Sequence, residues 1–374
     1  VLRSDVSNGV RLRAVLLVAA TGGLAAWLVR AGNPGNMGLC GACFLRDLGG
    51  ALGFTAASKG PAIFRPEIAG LVLGATLLAL ARRRFVARSG SYAAGRFALG
   101  FAMAVAALVF LGCPFRLLQR LGGGDLSAWF ALPGFLLGVR FAMRFEARGY
   151  AIGSTSPAPA AVGLAGPLAF AALVGLFLSG KLYGPGPGAS AGPPHAEARL
   201  ALGIGLASGG ILSATGFCAI AAVRGIFGGR RAMSAAALAF IGTYAATLWI
   251  TGGVIGASPA PVSHGGHAAS FLATFVLGCA GALAGGCPVR QLVMTGEGNG
   301  DALVTTAGLV VGGAVAHNFG LVSAAAGAAG PGGPTDAGMI VLGVLLLAIV
   351  LFAAAVTAAR ARAASAGETT PPRT

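Results

Sequence analysis

Acidic side chains are scarce, with ten Asp and Glu in 374 residues. Most stand at the edges of apolar runs, which leaves no pair of carboxylates placed for general acid–base work. No Ser/His/Asp arrangement and no glycine-rich phosphate loop stands out either, so the sequence does not read as an enzyme. Charged residues of both signs make up only 10% of the chain, far below the usage of soluble domains. The six cysteines (Cys40, Cys43, Cys113, Cys218, Cys279 and Cys287) lie in or beside apolar segments. That placement excludes the loop-spaced framework of a secreted disulfide scaffold and points to reduced thiols within a membrane. Cys40-Gly41-Ala42-Cys43 has C-x-x-C spacing, but a zinc site needs a second pair and a haem site a following histidine, where Phe44 stands. No metal and no cofactor is therefore expected. A redox role for the Cys40/Cys43 dithiol stays open, and Cys279, which has no counterpart elsewhere, reads as a packed core thiol.

What the chain has instead is apolar length. Hydrophobic residues make up 56% and glycine contributes 64 residues, as expected where helices approach closely inside a bilayer. About ten runs are long enough to span: 13–31, 67–82, 94–112, 126–145, 161–182, 198–214, 233–256, 268–286, 302–325 and 337–360. The run at 67–82 is short and begins with Glu67. Arg11 and Arg13 precede the first run, which is read as a retained helix because no small-residue cleavage site follows it. Four Gly/Cys-rich pieces near 36–54, 113–124, 215–229 and 287–300 are apolar but too short to cross, and are expected as half-helices or re-entrant loops.

The net charge of +16 would mark a nucleic-acid binder among soluble proteins. Here the arginines punctuate apolar runs, so they are topology signals and no nucleic-acid partner is expected. With the N-terminus inside, only Arg30, Arg46, Lys59, Arg65, Arg116, Arg120, Lys181 and Arg199 fall outside, and the outer loops 257–267 and 326–336 carry no Lys or Arg. Both termini are accordingly placed in the cytoplasm.

Two pieces of sequence occur twice. Gly38-Leu39-Cys40 with Arg46 returns as Gly216-Phe217-Cys218 with Arg224, and Gly112-Cys113-Pro114-Phe115-Arg116 returns as Gly286-Cys287-Pro288-Val289-Arg290, each about 176 residues on. An odd number of spans per half turns the second half over. The expected fold is thus an all-α polytopic membrane protein with two inverted repeats of five spans and four half-helices meeting near the midplane. Its parts are a first repeat over 1–182, an external Gly/Pro-rich linker over 183–197, a second repeat over 198–360 and a disordered cytoplasmic tail over 361–374.

Proline after Cys113 and Cys287 suits a first helical turn and leaves each cysteine at the N-cap, facing unpaired N–H groups. Cys40 and Cys218 follow glycine at similar starts, so four thiols at helix N-termini would suit a soft anion. Arg116 and Arg290 lie one turn beyond their cysteines, Arg46 and Arg224 nearer two. They are assigned to anion attraction near the entrances, against the alternative that they snorkel or bind carbonyls. His317 and Asn318, within the ninth run, are path-lining candidates or satisfied core groups. Glu297 to Asp301 lacks full calcium-loop spacing, and Asp301 and its counterpart Asp125 read as helix caps. His195, His264 and His267 read as surface loop residues.

With these segments assembled, the chain resembles the YeeE/YedE family, and closely its YedE-related selenium-metabolism branch. The matching stretches are Gly32-Asn33-Pro34-Gly35-Asn36-Met37-Gly38-Leu39-Cys40, Arg65-Pro66-Glu67-Ile68, Phe110-Leu111-Gly112-Cys113-Pro114, Ala284-Gly285-Gly286-Cys287-Pro288-Val289-Arg290-Gln291, Gly296-Glu297-Gly298-Asn299-Gly300-Asp301-Ala302 and Ala316-His317-Asn318-Phe319-Gly320. The resemblance implies an inner-membrane permease for a small sulfur or selenium anion such as thiosulfate or selenite. It implies cysteines lining a central path and touching the substrate through S–H hydrogen bonds. That role carries to Cys40, Cys113 and Cys287 by motif and to Cys218 by repeat equivalence, with Cys43 beside them. The second half departs at Gly225, where an acidic residue often follows the arginine, whereas Asp47 is kept in the first half. The implied partners are the lipid bilayer, the anion and a cytosolic sulfur or selenium carrier protein. The alternative reading is a membrane thiol protein that transfers sulfur or selenium through a cysteine persulfide or selenosulfide.

Overall fold

Helices follow the apolar runs and the half-helix segments in turn. The computed structural model describes residues 8–56, 60–153, 155–182, 195–228, 231–253, 255–256, 260–328 and 330–365. In chain order the elements are α1 (Asn8–Arg30), α2 (Gly41–Ala51), α3 (Pro66–Ala81), β1 (Arg88–Ser89), α4 (Ala93–Phe110), α5 (Pro114–Gly122), α6 (Leu126–Ala147), β2 (Ser156–Pro157) and α7 (Ala160–Leu178). They continue as α8 (Ala198–Thr215), α9 (Ala219–Gly228), α10 (Arg231–Ile250), α11 (His267–Leu283), α12 (Pro288–Gly296), α13 (Gly300–Asn318) and α14 (Asp336–Ser365). The only sheet among the described residues is the two-residue antiparallel pair β1–β2.

Among the described residues nine helices are long and apolar enough to cross a membrane, so the protein is an all-α, multi-pass membrane protein. The expected tenth span, α3, has 16 residues and reaches only about 24 Å. Its start explains the shortfall. Pro66 opens the helix, and Arg65 and Glu67 on either side are buried at 2% and 0% exposure, so α3 begins inside the protein rather than at its rim. The linker expected at 183–197 lies, apart from its last residues, outside the described residues, as does the tail from 366. Residues 361–365, expected as disordered tail, are helical because α14 runs on to Ser365.

The long helices pair across the chain: α3 packs on α8, α1 on α10, α6 on α11 and α4 on α13. Glycine sets the closeness of these contacts. A Cβ at Gly70 or Gly74 would run into the α8 backbone at Leu202 to Leu206, and one at Gly134 or Gly138 into the carbonyls of Phe271 and Phe275. Gly308 and Gly312 meet the carbonyls of Phe97 and Phe101 in the same way. Small residues four apart let backbones approach where lipid offers no hydrophobic drive for association. The short helices fill the middle, and every residue of α5 is buried. Large apolar side chains such as Leu178, Trp249, Leu238 and Ile340 remain outside, as a lipid-facing surface requires.

Candidate functional site

Four short helices begin immediately after a cysteine. Cys40, Cys113 and Cys287 are the N-caps of α2, α5 and α12 in extended backbone, with Pro114 and Pro288 in the first helical turn. Cys218 directly precedes α9. Proline needs no N–H partner there and has its φ preset, so the local sequence favours the starts of α5 and α12. The segment ahead of Cys40 is tied down by Gln119 of α5. Its Oε1 accepts the N–H groups of Gly38 and Leu39 at 2.8 and 3.1 Å, and its Nε2 donates to the Leu39 carbonyl at 2.5 Å.

The helix starts bring the thiols together in two pairs. Cys40 and Cys113 are electrostatic neighbours, as are Cys287 and Cys218, whose Sγ accepts the Cys287 N–H at 3.4 Å. The pairs adjoin because Gly41 sits directly against Pro288 and Val289, where any Cβ would clash with backbone. Two of the sulfurs accept backbone N–H groups, Cys40 Sγ from Cys43 and Cys218 Sγ from Cys287, both at 3.4 Å. All six cysteines are free and buried. Cys43 is one turn into α2 beside Cys40, whereas Cys279 lies on α11 apart from these pairs.

Each of the four arginines assigned to anion attraction has partners within the fold. Arg116 is fully buried and spends its guanidinium on five carbonyls: Nε on Asn36 at 3.0 Å, NH1 on Leu111, and NH2 on Gly35, Pro261 and Val262 at 3.1 to 3.4 Å. It clamps three loops, and five acceptors consume the donors an anion would need. Arg46 binds Asp47 at 2.6 Å and His317 Nε2 at 3.2 Å, while Asp47 also holds Arg65 at 2.5 Å. Arg224, whose chain neighbour is Gly225, takes its carboxylate from Glu146 of α6 instead, in a two-pronged contact at 2.9 and 2.5 Å. Arg290 is paired with Glu297 at 3.1 Å through both nitrogens.

His317 and Asn318 occupy the last turn of α13. Asn318 staples the loop after α2, accepting from the Ala56 N–H and donating to the Phe54 carbonyl, both at 2.9 Å. The loop histidines expected at the surface fold inward instead. His195 is 3% exposed with Nε2 3.1 Å from Glu67. His264 is wholly buried between the Val109 carbonyl and the Gly266 N–H, and burial pushes its imidazole below the usual value. His267 stacks on Phe130 at 4.3 Å. Asp125 caps α6 through the Ser127 N–H as expected. Its counterpart does not cap α13: Asn299 does, and Asp301 instead accepts from Ser89 and from the Gly90 and Ser91 N–H groups.

Sequence reading missed several partners. Arg120, fully buried on Asp125 at 2.6 Å and over the Phe110 ring at 4.2 Å, carries no repeated motif. Glu146 lies 78 residues from the arginine it binds, and no local signal links them. Compared with known proteins, the chain matches no family model and no curated protein.

Proposed function

We propose that this protein is a permease of a bacterial cytoplasmic membrane that passes a small sulfur- or selenium-containing anion along a central path lined by Cys40, Cys113, Cys218 and Cys287. The observation that carries the reading is the meeting of two cysteine pairs at the N-termini of four short helices. Helix N-termini favour negative charge, and a polarizable thiol suits a soft sulfur or selenium atom. Contacts of this kind are weak and reversible, as passage requires.

An inverted repeat with both termini in the cytoplasm is part of the same reading. It is supported by the order of long and short helices, which is the same from α1 to α7 as from α8 to α14. It is supported too by helix pairs that exchange under that correspondence, α3/α8 with α10/α1 and α6/α11 with α13/α4. Delivery to a cytosolic sulfur or selenium carrier completes the proposal. The thiol-transfer alternative needs a cysteine that a soluble acceptor can reach, whereas all six are buried.

Uptake of radiolabelled thiosulfate and selenite into proteoliposomes tests it. Cys113→Ser and Cys287→Ser should each lower uptake about tenfold, the worth of one good hydrogen bond, with folding retained and Cys279→Ser near parental. Parental uptake in both Ser variants would make the cysteines core residues and overturn the mechanism.

A further inference from the structure

At the opposite end of α3 from Arg65 lies a cavity of about 250 Å³ whose polar lining is Arg82, Arg84, Arg88, Ser213, Arg290 and Glu297. Four arginines and one carboxylate line it. The arginines come from the C-cap of α3, the turn after it, β1 and α12, the carboxylate from the C-cap of α12, and the last turn of α8 adds Ser213 and Ala214 to the wall. Glu297 organises the wall. It binds Arg290 through both oxygens at 3.1 Å, lies 3.6 Å from Arg88 and accepts from Ser213 Oγ at 3.0 Å. Arg82 and Arg84 have no side-chain hydrogen bond or ion pair among the described residues.

Two of the lining residues are close in sequence to thiols of the short helices. Arg290 follows Cys287 by three residues, and its Cβ and Cγ bear on Gly286, while Ser213 precedes Cys218 by five on the other wall. Arginines that only mark the inner side of a membrane sit scattered on loops. These are gathered around one space, which would hold on the order of eight waters, room for a tetrahedral oxyanion with part of its hydration shell.

We propose that this cavity binds a small tetrahedral oxyanion of the sulfate, thiosulfate or phosphate type. Arg82, Arg84 and Arg88 supply its cationic ligands, and Glu297 is the internal competitor that holds Arg290 away from it. Guanidinium groups match such oxygens with paired N–H donors. The site rests on the permease reading and deepens it, giving the anion a second station, yet the binding stands apart from transport. A free oxyanion and a lipid phosphate share this chemistry, and the experiment separates them.

Radiolabelled sulfate binding is measured on the full-length, lipid-stripped protein in neutral detergent at fixed chloride, and thermal stabilisation is measured in nanodiscs with and without phosphatidic acid. Saturable sulfate binding is expected, weakened about tenfold by Arg84→Gln and by Arg88→Gln and strengthened about tenfold by Glu297→Gln. Cys279→Ser, outside the proposed path, should leave it unchanged, and because sulfate binding is read without uptake, failure of the permease reading and failure of this one are distinguishable. Arg84 is exposed, so its variant keeps the test valid where a change at the Arg290 pair unfolds the protein. Stabilisation by phosphatidic acid that depends on the same arginines, without sulfate binding, would name a lipid phosphate as the occupant. The proposal is overturned if neither probe binds saturably, or if sulfate binds the arginine variants as it binds the parent.

Discussion

Three of the carbonyls that hold Arg116 belong to Asn36, Leu111 and Val262, each with a left-handed backbone at φ of 53°, 59° and 55°. Such a conformation costs a non-glycine residue roughly 1–2 kcal/mol and persists only where its surroundings over-determine it. The guanidinium is what aims those carbonyls inward, so it holds the fold together at this point. Arg116→Gln is therefore expected to abolish the monodisperse peak in detergent size-exclusion, and Arg116→Lys should not rescue it, because an ammonium lacks the planar fork that reaches five acceptors. A folded Arg116→Gln protein with a salt-dependent uptake defect would restore the attractor role. The carboxylates rank by burial in the same way. Asp47 is wholly buried between Arg46 and Arg65, so Asp47→Asn should cost about 3–5 kcal/mol of stability. Glu146 and Arg224 are 28% and 35% exposed, and thermal melting of Glu146→Gln should show no more than about 1 kcal/mol.

The short helices were legible because their starts are local chemistry: a cysteine, then proline or a small residue, then one or two turns before an arginine. Where each arginine points was not legible, because its acceptors come from loops and helices distant in sequence. The inward histidines were misread for the same reason. A loop composition says nothing of whether the loop folds back over the bundle, as the segments around His195 and His264 do. The glycines divide along helix faces in a way that composition hides. Gly74 meets the Leu206 backbone, while Gly203, on the same α3–α8 pair, has nothing within 4 Å. Gly74→Ala should thus lower the melting temperature sharply or prevent folding, and Gly203→Ala should leave it unchanged. Equal effects would mean that close approach is not what Gly74 provides.

At the scale of the molecule, the apolar runs announced a multi-pass bundle, but not which helices would be partners. The principal neighbours of α1, α3, α4 and α6 are α10, α8, α13 and α11, all supplied by the C-terminal half. The segment 1–182 expressed alone should accordingly fail to accumulate in membranes, and co-expression with 183–374 should restore it. Stable accumulation of the lone segment would show that its helices satisfy one another. The same pairing gives biosynthesis a fixed timetable. Between the end of α3 at Ala81 and the start of α8 at Ala198 the ribosome adds about 120 residues, roughly 6–24 s of synthesis. Through that interval the Gly70 and Gly74 groove has no helix to receive, and the nascent chain depends on the insertion machinery to keep that face from the wrong companion.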